Sequence, residues 1–253
     1  KSFTMTKAVP SKRPAPSYTF QRVHAALQTG AVLTVQQKRQ EPMPCFMQQS
    51  MLDGACGVHV LAMALVILDL AKASALHNMS RRTYGTAAQV HRAFEPTYFT
   101  GIHAREWVAL VQGLDLPLAL KASYVADGGV DSAAVDWLMR GDLVALAFAS
   151  VEHQRTKHWA LAVGIEGVVS GQRYQPQRIL LLDPSAPEPV VFQASNARLS
   201  LPQTGLGSRR AKSIESDKTS GPSRKPWLWR YESDSWNPET VHLLAAVRVR
   251  RTS

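Results

Sequence analysis

The stretch Gln49-Ser-Met-Leu-Asp-Gly-Ala-Cys56-Gly57-Val-His-Val-Leu61-Ala-Met63-Ala-Leu-Val-Ile-Leu68 decides how this chain is read. Asp53-Gly54 marks a turn. The residues after it are apolar around most of a helical circumference, with Val60, Leu61, Ala64, Leu65 and Leu68 at core-facing spacings. A helix of that kind belongs at the centre of a domain, nearly surrounded, and its pattern runs on to Ala75. Cys56 stands in the first turn, where the positive end of the helix dipole favours the nucleophilic thiolate. The chain has one other cysteine, Cys45, so a disulfide framework is not what these sulfurs serve. Gln49, with Gln48 beside it, lies one short loop upstream, placed to offer a side-chain N–H to an oxyanion.

Working outward, residues 1–40 read as an N-terminal arm and short helix, the arm being residues 1–20 with Pro10, Pro14 and Pro16. A short amphipathic helix over 20–28 follows, stopped by Gly30, and then a brief strand over 31–36. Residues 41–253 read as one domain. Helices are predicted over 86–94, over 103–112 with Trp107 and Leu110 inward, and over 131–140 with Asp131 or Ser132 as cap and Gly141 as stop. The pattern then switches to strands over 143–149, 158–165, 179–183 and 241–248. Residues 203–226, rich in Gly, Ser, Lys and Arg, are expected to form a polar mobile loop. Helices first and strands second make the class α+β with an antiparallel sheet.

The 253 residues are 45% hydrophobic and 19% charged, the composition of a globular protein. The longest apolar run, 60–68, falls far short of the roughly 18 residues of a membrane span. No secretory leader is read at the start, and a cytoplasmic protein or an exported effector both fit. The net charge of +10 gathers in short basic runs that read as solvated surface or as attraction to an acidic partner. No zinc-finger spacing, recognition helix or aromatic-interleaved basic groove accompanies them, which argues against nucleic acid as the partner. No motif for a cofactor appears.

A nucleophile needs a base. His158 opens Lys157-His-Trp-Ala-Leu-Ala-Val-Gly-Ile-Glu166, and Asp183 closes Ile179-Leu-Leu-Leu-Asp-Pro-Ser185. If these strands form an antiparallel hairpin folding back at Ser170 and Gly171, residues 158 and 183 face each other about 5 Å apart at Cβ. His158 then shares a face with Ala160, Ala162 and Gly164, while Trp159, Leu161, Val163 and Ile165 point to the other. Each piece has a plainer explanation: a buried cysteine is usually a small hydrophobe, a strand histidine usually structural, and Asp-Pro-Ser an ordinary turn. The conjunction of all of them favours nucleophilic catalysis. Cys56, His59, His153 and His158 also suggest a zinc arrangement, which leaves Gln49 and Asp183 unexplained. Trp227, Trp229, Tyr231 and Trp236 read as core packing, with a substrate-groove wall as the alternative.

Gln49…Asp53-Gly-Ala-Cys56-Gly57-Val-His-Val-Leu61-Ala-Met63, Leu138-Met-Arg-Gly141-Asp-Leu-Val144, His158-Trp-Ala-Leu-Ala-Val163-Gly164-Ile and Leu182-Asp183-Pro184 together resemble papain-fold cysteine peptidases. The nearest branch is that of the double-glycine leader peptidases of bacteriocin exporters and their stand-alone relatives, over residues 45–190. The resemblance implies a papain-like fold with the cysteine helix packed on the sheet. It also implies a bacterial, cofactor-free thiol protease acting on a peptide or protein through a thioester, with Cys56 as nucleophile, His158 as base, Asp183 orienting it and Gln49 binding the oxyanion. Two departures stand out. The family's glutamine precedes its cysteine by six residues, where Ser50 stands here, so Gln48 and Gln49 compete for the role. The His-to-Asp interval is also longer, which we assign to an extended hairpin tip over 167–177. Cys…His…Asp order is shared with transglutaminase-like enzymes, so acyl transfer or deamidation stays open beside hydrolysis, as does an inactive relative kept for protein binding.

Overall fold

Every residue of the strand Leu143–Ser150 is buried, whereas a sheet with one wet face alternates buried and exposed positions. The computed structural model, which describes residues 16–36, 41–50, 54–153, 157–202 and 226–252, gives the reason. The strand is packed on both faces. Val144, Leu146 and Phe148 join one core, while Leu143, Ala145 and Ala147 join a second.

In chain order the elements are β1 (Ser17–Val23), β2 (Leu27–Gln28), β3 (Thr34–Val35), β4 (Met43–Pro44), α1 (Cys56–Ile67), α2 (Ala73–His77), α3 (Gly85–Phe94), α4 (Ala104–Gly113), β5 (Leu118–Tyr124), α5 (Val130–Met139), β6 (Leu143–Ser150), β7 (Lys157–Ser170), β8 (Arg173–Leu182), β9 (Ala197–Ser200), β10 (Trp229–Ser233) and β11 (Glu239–Arg251). The class is α+β with an antiparallel sheet. Among the described residues the large sheet runs β7-β6-β11-β10-β9-β8, and β8 pairs back with β7, closing a barrel. β1 adds to β7, β5 adds to β11, and β2, β3 and β4 form a small separate sheet.

The barrel interior holds Phe148, Ala160, Ala162, Leu181, Leu199, Trp229, Tyr231 and Leu243, with Val130, Ala134, Trp137 and Leu138 of α5 packed onto them. Outside the barrel, α1 lies against β7 and β6, and α2, α3 and α4 contribute to the same core. All of α1 is buried except half-buried His59, which agrees with an apolar pattern covering its whole circumference. α1 ends earlier than its pattern implies, because Asp69 takes a positive φ of 56° and the chain restarts as α2.

Four further expectations need correction. No helix forms over 20–28: the chain there is β1 followed by β2. Tyr18, Thr19, Phe20 and Val23 suit a strand, and the distal half of β7 offers an open edge from Ser17↔Ser170 to Val23↔Gly164. Gly164 makes this approach possible, since a Cβ there would come within 2.5 Å of the Arg22 carbonyl oxygen. The helix-then-strand order is also incomplete, because β1 and β5 precede helices. Asp131 caps nothing; it is buried and accepts bonds from Trp229 Nε1 at 2.8 Å and Trp227 N–H at 3.1 Å. Finally, the hairpin over 167–177 is paired almost to its end, Ser170↔Arg173, so the long interval is strand and not tip. The arm over 1–15 and all but Pro226 of the loop expected at 203–226 lie outside the described residues.

Candidate active site

Three separate elements deliver the chemically able groups. Cys56 begins α1, His158 is the second residue of β7, and Asp183 directly follows β8. His158 Nε2 and Asp183 Oδ1 are 2.7 Å apart. Cys56 lies near enough to add, after Asp183, to the upward push on the pKa of the same imidazole. The thiol also rests against the Gly54 carbonyl oxygen at 3.8 Å.

Residues 158 and 183 do not sit directly opposite, as the expected fold-back at Ser170 and Gly171 required. The turn comes one position later, and the ladder pairs Leu161 with Leu182 and Ala162 with Leu181. Continued, that register sets His158 opposite Ser185 and Asp183 two residues away along the strand. A shift of two keeps both side chains on one face, and a diagonal neighbour stays within reach of a long side chain. Ser185 Oγ accordingly lies 3.4 Å from His158 Nε2. A bulge between Ala162 and Gly164 breaks the alternation further along, which turns Ile165 into the barrel and not toward the α1 side.

The cysteine turn is seated by close packing. Gly57 lets the loop before α4 approach: a Cβ there would stand 2.7 Å from Ile102 Cγ2 and 3.2 Å from Trp107 Cδ1. Trp107 Nε1 donates to the Gly57 carbonyl at 2.9 Å, Trp159 Nε1 donates to the Ile102 carbonyl at 3.1 Å, and the two indoles stack at 5.1 Å. Helix and barrel are thereby locked beside the sulfur. Among the described residues no side chain caps the first turn of α1 and no acidic residue stands in that turn.

Gln49 is drawn into the same place. Its backbone N–H donates to the Pro184 carbonyl at 2.8 Å, tying the glutamine loop to the turn that follows Asp183. Its side-chain Oε1 is buried without a hydrogen-bond partner, whereas Gln48 is exposed. Of the two glutamines, Gln49 is the one the fold brings to the site.

Asp183 is fully buried and heavily bonded. Oδ1 accepts from Ser185 N–H at 2.8 Å and Ser185 Oγ at 2.7 Å as well as from His158, and Oδ2 accepts from the Tyr231 hydroxyl. Asn196 fixes the backbone, accepting from Asp183 N–H at 2.7 Å and donating to its carbonyl at 2.9 Å. Burial alone would raise the carboxyl's pKa, but the His158 charge and the donors from His158, Tyr231 and Ser185 hold it below the usual range. Burial would lower the imidazole's pKa, yet Asp183, with a further contribution from Cys56, pushes it up to about 10. Burial and the Asp183 charge both push the Tyr231 phenol upward.

Reading the sequence did not identify Tyr231, Ser185, Asn196 or Trp236 as part of this site. The Trp236 ring lies 5.7 Å from His158 and 6.2 Å from Tyr231, and Phe148 meets the imidazole edge-on at 5.5 Å. For Tyr231 and Trp236 the available signal was the aromatic cluster of 227–236, which core packing explained equally well; Ser185 and Asn196 had none. Cys45 is a buried thiol whose pKa burial pushes up to about 12. Among the described residues no group of three or more His, Cys, Asp and Glu side chains converges as a metal site requires, and no helix is long and apolar enough to cross a membrane. Comparison with models of known protein families gives no match, and a search of curated proteins gives none either.

Proposed function

We propose that this chain is a cysteine peptidase or amide-bond hydrolase of papain-like type, acting on a peptide or protein substrate. The observation that carries the reading is a buried imidazole bonded to a carboxylate that its surroundings hold charged, with a cysteine at a helix start nearby. A closed barrel is not specific to that class. What favours papain-like chemistry is the order Cys56, His158, Asp183 together with a cysteine helix packed across barrel strands.

The chemistry runs as follows. Cys56 Sγ forms a bond to the substrate carbonyl carbon while His158 holds the thiol proton. The new oxyanion accepts from the Cys56 backbone N–H and the Gln49 side-chain amide. Collapse breaks the C–N bond, and the leaving amine takes the proton from His158. A water molecule, deprotonated by the same imidazole, then attacks the thioester, restoring the thiol and releasing a carboxylic acid. Asp183 accepts the hydrogen bond of His158 Nε2–H throughout, fixing the tautomer and stabilising the imidazolium without taking the proton.

Profiling wild type and Cys56→Ala against a peptide library tests the proposal. The expected result is a set of cleaved amide bonds that disappears in the variant. Cleavage that survives the substitution overturns it, and a library bound by both proteins without cleavage would point to a peptide-binding protein.

A further inference from the structure

Asp183 is needed as an anion, yet it is fully buried, and burial disfavours charge. Its Oδ1 is shared among His158 and two donors from Ser185. Its Oδ2 faces away from the imidazole and accepts from the hydroxyl of Tyr231. Tyr231 comes from β10, is 1% exposed, and projects inside the barrel with its ring 5.3 Å from Phe148. A phenol buried there needs an acceptor, and a carboxylate buried there needs a donor on its far oxygen. No other donor in the described residues reaches Oδ2.

We infer that Tyr231 is a positioning residue: its hydroxyl holds the Asp183 carboxylate charged and aimed at His158 Nε2. Its catalytic meaning rests on the proposed hydrolase reaction, whereas the clamp itself is a property of the barrel. Four donors surround the carboxylate, one from β7, two from the 184–185 turn and one from β10, so the anion is solvated by fixed dipoles in place of water. Without the phenol, Oδ2 loses its partner and the protonated acid gains ground. The Asp183–His158 bond then fails at a higher pH.

The test follows the His158 ring nitrogens by NMR during acidification, in wild type and in Tyr231→Phe, alongside the rate of Cys56 alkylation by iodoacetamide. In Tyr231→Phe the acid-side change in the Nε2 signal moves upward by about one pH unit, the size expected from losing one charge-assisted hydrogen bond. A variant carrying 3-fluorotyrosine at 231, a stronger donor of nearly the same shape, moves it downward, which separates donor strength from packing even if Tyr231→Phe folds poorly. Unmoved signals in both variants overturn the inference while leaving fast Cys56 alkylation, and with it the hydrolase reading, intact. Shifted signals beside an inert Cys56 support the clamp and defeat the hydrolase reading instead.

Discussion

Cys45 and Cys56 are both buried, both close to Gln49 in sequence, and built into opposite circumstances. Cys45 follows β4 in the small sheet, where its sulfur bonds the Leu33 carbonyl at 3.8 Å and burial pushes its pKa up to about 12. Cys56 opens a helix at the seam between α1 and the barrel, beside an imidazole that a charged carboxylate holds in place. Burial alone silences a thiol, whereas a helix start near an imidazole is where nucleophilic thiols are found. The most forceful way to break this contrast is to exchange the roles. Cys56→Ala is expected to reduce amide hydrolysis by at least about 10⁴-fold, while Cys45→Ala leaves it within about twofold. Comparable losses in the two variants, measured with one peptide substrate, would show that the surroundings do not distinguish the sulfurs.

The next largest effect concerns the carboxylate. Asp183→Asn keeps shape but removes charge, and turnover should fall on the order of 10³-fold. Its pH signature is equally specific. His158 has a raised pKa, so its contribution to stability is complete below 6.5, the ordinary value, and is lost as pH rises through about 10. Asp183 has a lowered pKa, so its contribution is complete above 3.8 and is lost as pH falls below that. Melting temperature in the wild type should therefore decline on both sides of that window. Asp183→Asn should flatten both limbs, and a variant whose pH–stability curve parallels the wild type would show that the pair is not an ion pair.

How much of this was legible beforehand depended on range along the chain. Cys56 and α1 announced themselves because a helix start and an all-round apolar pattern are local signals. His158 and Asp183 were found through a hairpin, whose register was misjudged by two residues. The misjudgement left the pairing intact because an even shift preserves the face. β1 was misread as a helix, since what makes Ser17–Val23 a strand is the open edge of β7 and two glycines far away in sequence. β9 and β10 were missed because four and five residues carry too little alternation to register. The contacts of Tyr231 and Asn196 with Asp183 were not legible, because barrel closure, which no local pattern encodes, is what brings them there.

The glutamines sharpen the comparison between a tethered residue and its untethered neighbour. Gln49→Ala should lower turnover by about 10²-fold or more through loss of an oxyanion donor, with substrate affinity little changed. Gln48→Ala should be nearly silent, because that side chain is exposed. The reverse ranking would mean that the loop shifts by one residue when substrate binds.

The smallest expected effect returns to Cys45. Serine at 45 would set a hydroxyl where a 0% exposed sulfur now packs. Among the described residues, the acceptor which that sulfur bonds is the Leu33 carbonyl, already bonded to the Cys45 N–H at 3.4 Å. The hydroxyl gains at best a shared, poorly placed bond and loses its water, so Cys45→Ser should cost about 1–3 kcal/mol of stability. Denaturant unfolding reads this directly as a lower midpoint with an unchanged slope. The small sheet touches neither the imidazole nor the carboxylate, so Cys56 in the same variant should alkylate at the wild-type rate. If Cys56 slows together with the loss of stability, the two thiols share one cooperative environment, and the division between a packing cysteine and a working one fails.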